Sequence, residues 1–276
     1  MQVSFAKIDG LTTRYYHAGQ GDNALLLVHG YGASADNWVR VIDAFANEGY
    51  AVFAPDIVGH GFTDWRDPGR EPPQIQIVRH LGAFMDTVGI KTCAAAGSSL
   101  GGVLVPLLYF ARPKQVTKLV CVGIHTPVTD TGTLDPAVVR AANANGSKAM
   151  QTGTWDACIN RMANICHDRA SSPKDVALLN VTCYALPDRL EAYNKTGEGI
   201  AAAVNDDRVR IDPKKIAVPT LMLSGREDIR APIDIIEKNY KRLPKGELAV
   251  FENCGHLPEI EHPQKFIATV GAFLRK

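Results

Sequence analysis

A serine, an acid and a histidine stand in this chain where they could perform acyl transfer: Ser99, Asp228 and His256. A serine hydroxyl is a weak nucleophile at neutral pH. It needs a base within hydrogen-bond reach, and the base needs a third group to hold its ring. Ser99 lies in Gly97-Ser98-Ser99-Leu100-Gly101, a Gly-x-Ser-x-Gly pattern of the nucleophile-elbow type. The turn is so tight that the residues two places either side of the serine crowd one another, so both are glycine. Centring the pattern on Ser98 would put Ala96 and Leu100 in the crowded places, and leucine does not fit.

The partners follow in the order acid, then histidine, each on a loop after an apolar run, where sheets of this kind place their sites. Gly225-Arg226-Glu227-Asp228 comes after the run ending at Ser224, and Asn253-Cys254-Gly255-His256 after the one ending near Phe251. Asp228 is preferred to Glu227 for its position in the turn. The plain role of Glu227 is a solvated loop charge, and that of Asp228 a cap for a helix from Ile229 to Tyr240. His256 is preferred to His262, which precedes Pro263 and suits a capping or surface role. The backbone N–H of Leu100, after the nucleophile, and that of Tyr31, after His29-Gly30, are the candidates for an oxyanion hole. His29 and His60, each beside glycine, are expected to be structural, and Trp38 to lie in the core. Trp155 suits core or substrate contact equally.

The elements around these residues alternate. Val3 to Ala18 is broken at Asp9-Gly10, a hairpin signal. Ala24 to His29, Ala51 to Asp56, Lys91 to Ala96 and Lys118 to Ile124 are apolar runs of the kind found in strands covered on both faces. Helical spacing occupies Asp36 to Glu48, Ile75 to Val88 and the stretch from Gly101. Strand alternating with helix predicts a mostly parallel sheet covered by helices. From about His125 to Arg210 no strongly apolar strand occurs, and Trp155, Ile159, Met162 and Cys166 recur at helical spacing. This predicts a helical insertion. Strand character returns at Val218 to Ser224 and Glu247 to Phe251, and a helix from about Pro263 to Leu274 follows.

Bulk properties narrow the function. With 276 residues, 46% hydrophobic and 21% charged, and a formal net charge of +1, the chain offers no electrostatic reason to bind nucleic acid or an acidic membrane surface. The first residues lack the apolar core of a signal peptide, and no run approaches the roughly 18 apolar residues of a membrane helix. Six scattered cysteines without a Cys-x-x-Cys pair suggest free thiols in a reducing cytoplasm. No metal or organic cofactor is expected. The oligomeric state, monomer or homodimer, is left open.

With these residues placed, the chain resembles the α/β-hydrolase superfamily, in its serine-nucleophile branch, over essentially its whole length. His29-Gly30-Tyr31-Gly32 with Trp38 is similar to that family's oxyanion loop, and Asp56 to Gly61 to the loop after its fourth strand. Residues 97–102, 225–228 and 254–256 match its elbow, acid loop and histidine loop. The resemblance implies an α/β-hydrolase core over 1–125 and 211–276 with a helical cap over 126–210. It also implies acyl transfer through an acyl-enzyme intermediate. Small bacterial esterases and the meta-cleavage C–C hydrolases are the nearest in flavour. The latter usually carry asparagine before the serine and tryptophan after the histidine, where this chain has Ser98 and Leu257. The expected substrate is therefore a small carboxylic ester, or a lactone or amide. Hydrolysis of a ring-fission diketone is the alternative, and a ligand receptor on a hydrolase fold a remote one.

Overall fold

The computed structural model describes residues 1–124, 135–169 and 173–276. The chain opens with β1 (Gln2–Ile8) and β2 (Leu11–Ala18), joined at Asp9-Gly10 with both φ angles positive, 48° and 80°. That backbone twists with the strands it joins. β3 (Asn23–Val28) precedes a 3-10 turn (Ala35–Trp38), the short α1 (Ile42–Asn47) and β4 (Tyr50–Pro55). α2 (Pro73–Thr87), β5 (Cys93–Ser98), α3 (Leu100–Ala111) and β6 (Val116–Val122) come next. Four helices then intervene: α4 (Pro136–Thr152), α5 (Trp155–Ala163), α6 (Lys174–Tyr184) and α7 (Arg189–Ala202). β7 (Thr220–Gly225), α8 (Ile233–Tyr240), β8 (Gly246–Phe251), α9 (Pro258–Glu261) and α10 (Pro263–Leu274) complete the fold.

The eight strands of the described residues form one sheet in the order β1-β2-β4-β3-β5-β6-β7-β8. β1–β2 and β2–β4 are antiparallel, and every other pair is parallel. Side chains alternate along each strand, so β3 feeds two cores. Leu26 and Val28 join Leu81 and Phe84 of α2 and Leu104 and Leu108 of α3 on one face. Leu25 and Leu27 join Ile42 and Phe45 of α1 and Phe266 and Val270 of α10 on the other. Each such side chain, fully removed from water, contributes about 1.5–3 kcal/mol before the cost of ordering it.

The helix expected from Asp36 to Glu48 is broken in two. Asp36 is wholly buried and accepts hydrogen bonds from Arg14, Tyr16 and Ser34. Its side chain is thus turned inward, and the chain regains helical form only at Ile42. Trp38 lies in the core, fully buried. The insertion between β6 and β7 is helical wherever it forms regular α structure, and residues 126–134 and 170–172 of the expected cap lie outside the described residues. A third apolar cluster holds it together, with Cys158, Met162, Val176, Ala177 and Tyr193 meeting Leu257 and Ile260 from beyond β8. No helix among the described residues is long and apolar enough to cross a membrane.

Candidate active site

β5 is central in the sheet, and Ser99 is the first residue beyond it. Its φ of 53° and ψ of −119° form a conformation that a residue with a β-carbon rarely adopts, a strain of about 1–3 kcal/mol kept by the surrounding structure. The flanking glycines show why. A β-carbon on Gly97 would stand 2.1 Å from the Gly101 carbonyl oxygen, and one on Gly101 would stand 2.0 Å from that of Val28. The Ser99 N–H donates to the Val122 carbonyl at 2.9 Å, fastening the elbow to β6. Leu100 opens α3, so its N–H belongs to the first turn, where helix geometry supplies no partner and the dipole favours an anion. The loop of Tyr31 lies against the nucleophile: a β-carbon on Gly30 would be 2.9 Å from that of Ser99.

Asp228 and His256 meet. His256 Nδ1 is 2.8 Å from Asp228 Oδ2, while Asp228 Oδ1 accepts from the N–H groups of Arg230 at 2.8 Å and Ala231 at 3.1 Å. One carboxylate oxygen thus holds the imidazole and the other holds its own loop. Burial opposes the charge on Asp228, but His256 and the two backbone donors outweigh it and keep the carboxyl below its usual range. With the proton on Nδ1, Nε2 is left as the basic nitrogen. The ring of His256 packs over Gly123 at the end of β6, the strand beside β5.

The remaining expected residues divide. His29 accepts from the Ile57 N–H at Nε2 (3.0 Å), so Nδ1 donates to the Gly30 carbonyl (2.8 Å). His60 Nδ1 lies 3.0 Å from the Val58 carbonyl. Burial drives both below the usual histidine range, to about 4 and about 3, so both are neutral braces between loops. Asp56 supports the same loops, accepting from Ala35 N, Phe62 N and the Arg14 guanidinium at 2.6–2.9 Å. Glu227 is not a solvated charge: its Oε2 accepts from the Cys254 N–H at 2.9 Å, joining the acid loop to the histidine loop. His262 Nε2 lies 2.8 Å from the Asn253 carbonyl. Trp155 is substantially exposed.

Two arginines that the sequence reading passed over stand near this site. Arg161, from α5, donates to the Tyr31 carbonyl at 3.3 Å, and its guanidinium lies 5.7 Å from the centre of the Tyr184 ring. Arg230 follows Asp228 by two residues. Burial, and then the charge of Arg161, draw the Arg230 guanidinium below its ordinary range, against the pull of Tyr193 and Asp228. Among the described residues, no carboxylate forms an ion pair with either. The signal was in the spacing, since Arg161 lies on the patterned helix and Arg230 beside the acid, but only the fold brings them together. A groove of about 830 Å³ between α2, α3 and residues 207–215 holds none of these residues.

Comparison with known proteins agrees with the geometry on the fold and corrects the chemistry. A family model described as alpha/beta hydrolase fold matches residues 23–263. A 2-hydroxy-6-oxononadienedioate/2-hydroxy-6-oxononatrienedioate hydrolase of Burkholderia vietnamiensis is 29% identical over 274 residues, 96% of this chain and 92% of that protein. A 2-hydroxymuconate semialdehyde hydrolase of Pseudomonas putida is 27% identical, over 96% of this chain and 91% of its own. Among solved structures, a meta-cleavage product hydrolase from Pseudomonas fluorescens superposes with a TM-score of 0.80 at 25% identity, covering 99% of this chain and 97% of that one. These relatives overturn the expectation of a simple carboxylic ester as substrate, which rested on Ser98 and Leu257 standing where the C–C branch carries asparagine and tryptophan. That inference looked only beside the serine and the histidine in sequence, whereas the fold brings Arg161 to the site from a helix far along the chain. With a match across 23–263, a strained serine elbow at the end of the central strand and the same architecture, the chain belongs to the alpha/beta hydrolase fold family.

Proposed function

We propose that this chain hydrolyses a carbon–carbon bond in a ring-fission 2-hydroxy-6-oxo acid, using Ser99, His256 and Asp228 beneath a cap formed by residues 126–210. The observation that carries the proposal is the nearly end-to-end match to relatives named as hydrolases of such acids. The cations Arg161 and Arg230, each acting on residues of this site, suit it, because the substrate is an anion and a simple ester is not.

The steps follow from the placement of the groups. The 2-hydroxyl proton of the dienol must first move to the carbon beside the scissile bond, so that the resulting ketone can accept the electron pair released there. A carboxylate held by Arg161 and Arg230 would fix the acid end during that shift, by charge-assisted hydrogen bonds. Ser99 Oγ then attacks the 6-oxo carbon while His256 Nε2 takes its proton, and Asp228 steadies the imidazolium. The oxyanion is received by the Leu100 and Tyr31 N–H groups. The carbon–carbon bond breaks with its electron pair moving to the keto-acid fragment as an enolate, which regains a proton from His256. Water, deprotonated by the same imidazole, releases the acyl group, so the net change is the addition of one water. The test is a panel of ring-fission acids and p-nitrophenyl esters. The expected outcome is a kcat/KM for at least one ring-fission acid about tenfold or more above that for every ester. Better turnover of esters would overturn the proposal.

A further inference from the structure

Three consecutive backbone N–H groups around His256 are hydrogen bonded, and none of their partners lies in the histidine loop itself. Gly255 donates to Glu261 Oε2 and Leu257 to Glu261 Oε1, both at 3.0 Å. His256, between them, donates to the Ile165 carbonyl at 3.0 Å. Glu261 Oε2 accepts a further bond, from the His167 N–H at 2.7 Å. One carboxylate thus holds the residues on either side of the imidazole together with the segment 165–167. A charged acceptor makes each of these bonds roughly twice as strong as its neutral counterpart.

That segment is the end of α5. Ile165 and Cys166 both donate back to the Met162 carbonyl at 3.1 Å, so the chain continues the last turn of the helix that carries Arg161. The two backbones approach closely: a β-carbon on Gly255 would stand 2.6 Å from the His167 nitrogen and 2.9 Å from the Ile165 carbonyl oxygen. A side chain at 255 would part the histidine loop from α5. The helix that ends at Glu261, α9, is itself fixed to the inserted helices. Leu257 and Ile260 lie in their apolar cluster, and Arg40 joins the Ile260 carbonyl (2.8 Å) to Asp175 in the first turn of α6 (2.7 Å).

Resting on the assignment of Ser99 and His256 above, we propose that Glu261 is a positioning residue. Its carboxylate clamps the backbone on both sides of His256 to the end of α5, and so holds the imidazole at the distance from Ser99 that proton transfer needs. Asp228 fixes how the ring is turned, and Glu261 fixes where the ring stands. The division matters because proton transfer works only over about 2.6–3.2 Å between heavy atoms, and a displacement near 1 Å costs on the order of 100-fold. Since one oxygen takes both Gly255 and His167, docking of α5 and placement of the base are a single arrangement.

The test is fluorophosphonate labelling of the full chain, resolved into an apparent affinity and a limiting rate and followed well below each variant's melting temperature. The limiting rate needs nucleophile and base but no particular substrate. Glu261→Ala should lower it by about tenfold or more and leave the apparent affinity within about twofold of native on the same grounds. Glu261→Gln keeps one acceptor oxygen and turns an amide N–H2 toward the remaining donor, so its limiting rate should fall between the other two. A merely stabilising role would lower the melting temperature and leave the limiting rate native in both variants, which would overturn the proposal. A loss confined to affinity, or a glutamine variant no faster than the alanine one, would overturn it too. If the alanine variant fails to fold, the glutamine variant decides: a lowered limiting rate at native affinity supports the clamp, and a native rate removes it. Ser99→Ala separates the two levels. Labelling that persists there would remove the nucleophile assignment itself, whereas its loss alongside native limiting rates in the Glu261 variants removes the role of Glu261 alone.

Discussion

The loops at the ends of the strands and the four helices described between β6 and β7 are built on different plans. In the loops, single polar side chains do two jobs over short distances. Asp228 holds both its own turn and His256, and Asp56 receives two backbone donors and a guanidinium. In the helices, a separate core of soft and small side chains, among them Cys158, Met162 and Ala177, carries Arg161 toward Tyr31 from 130 residues away. On the proposed function, the chemistry is local and braced, while recognition is assembled across the fold. A change in a loop should therefore remove the reaction for every substrate, and a change on the helices should remove it for some.

Three substitutions of graded effect test that division. Ser99→Ala should cost on the order of 10⁴-fold or more in kcat with an unchanged circular dichroism spectrum, and it should do so equally for acids and esters. Asp228→Asn should come close behind, by orders of magnitude, because the imidazole loses the partner that fixes its tautomer. Arg161→Gln should lower kcat/KM for a ring-fission acid by about 10–100-fold, the worth of a charge-assisted hydrogen bond, while leaving a neutral p-nitrophenyl ester within about twofold on the same grounds. Equal losses on both substrates would mean that α5 serves the reaction rather than recognition, and the contrast between the two regions would collapse.

The smallest effects are on stability and side-chain bracing. Glu227→Gln should lose less than about tenfold in kcat, since an amide oxygen still accepts from the Cys254 N–H. The pH dependence of the melting temperature should report His29 and His60. Their native values, about 4 and about 3, lie below the ordinary 6.5, so the unfolded chain binds more protons in between. Stability is complete above about pH 6.5 and falls as the pH drops toward 4. His60→Gln should flatten that fall as followed by thermal denaturation, and an unaltered slope would show that other groups govern it.

Much of this was legible in the sequence because it is carried by turns. Asp9-Gly10 forces a hairpin, and Gly97 and Gly101 leave room for one serine frame and not the other. The apolar runs place each strand to within a few residues, since a strand covered on both faces tolerates little else. What escaped depends on contacts between distant segments. Asp36 looked like the start of a helix, but Arg14, Tyr16 and Ser34 draw its carboxylate inward. Glu227 looked solvated until the Cys254 N–H came to it. Arg161 is an ordinary arginine on a patterned helix, and no local signal marks the carbonyl it reaches. The substrate class, read from Ser98 and Leu257, was corrected by the relatives.

β6 and β7 lie side by side in the sheet, with Val122 opposite Leu223, although about a hundred residues separate them in the chain. The helices between them therefore leave and return at neighbouring points on an already paired scaffold. Closing a longer or shorter excursion across that gap alters the free energy only logarithmically, by about 0.6 kcal/mol for each doubling of length. The sheet is thus nearly blind to what is spliced there. A segment of different length and helix number, ending at the same two strands, is the exchange this framework tolerates best, provided it rebuilds the contacts that the present helices make to Tyr31, His256 and Leu257.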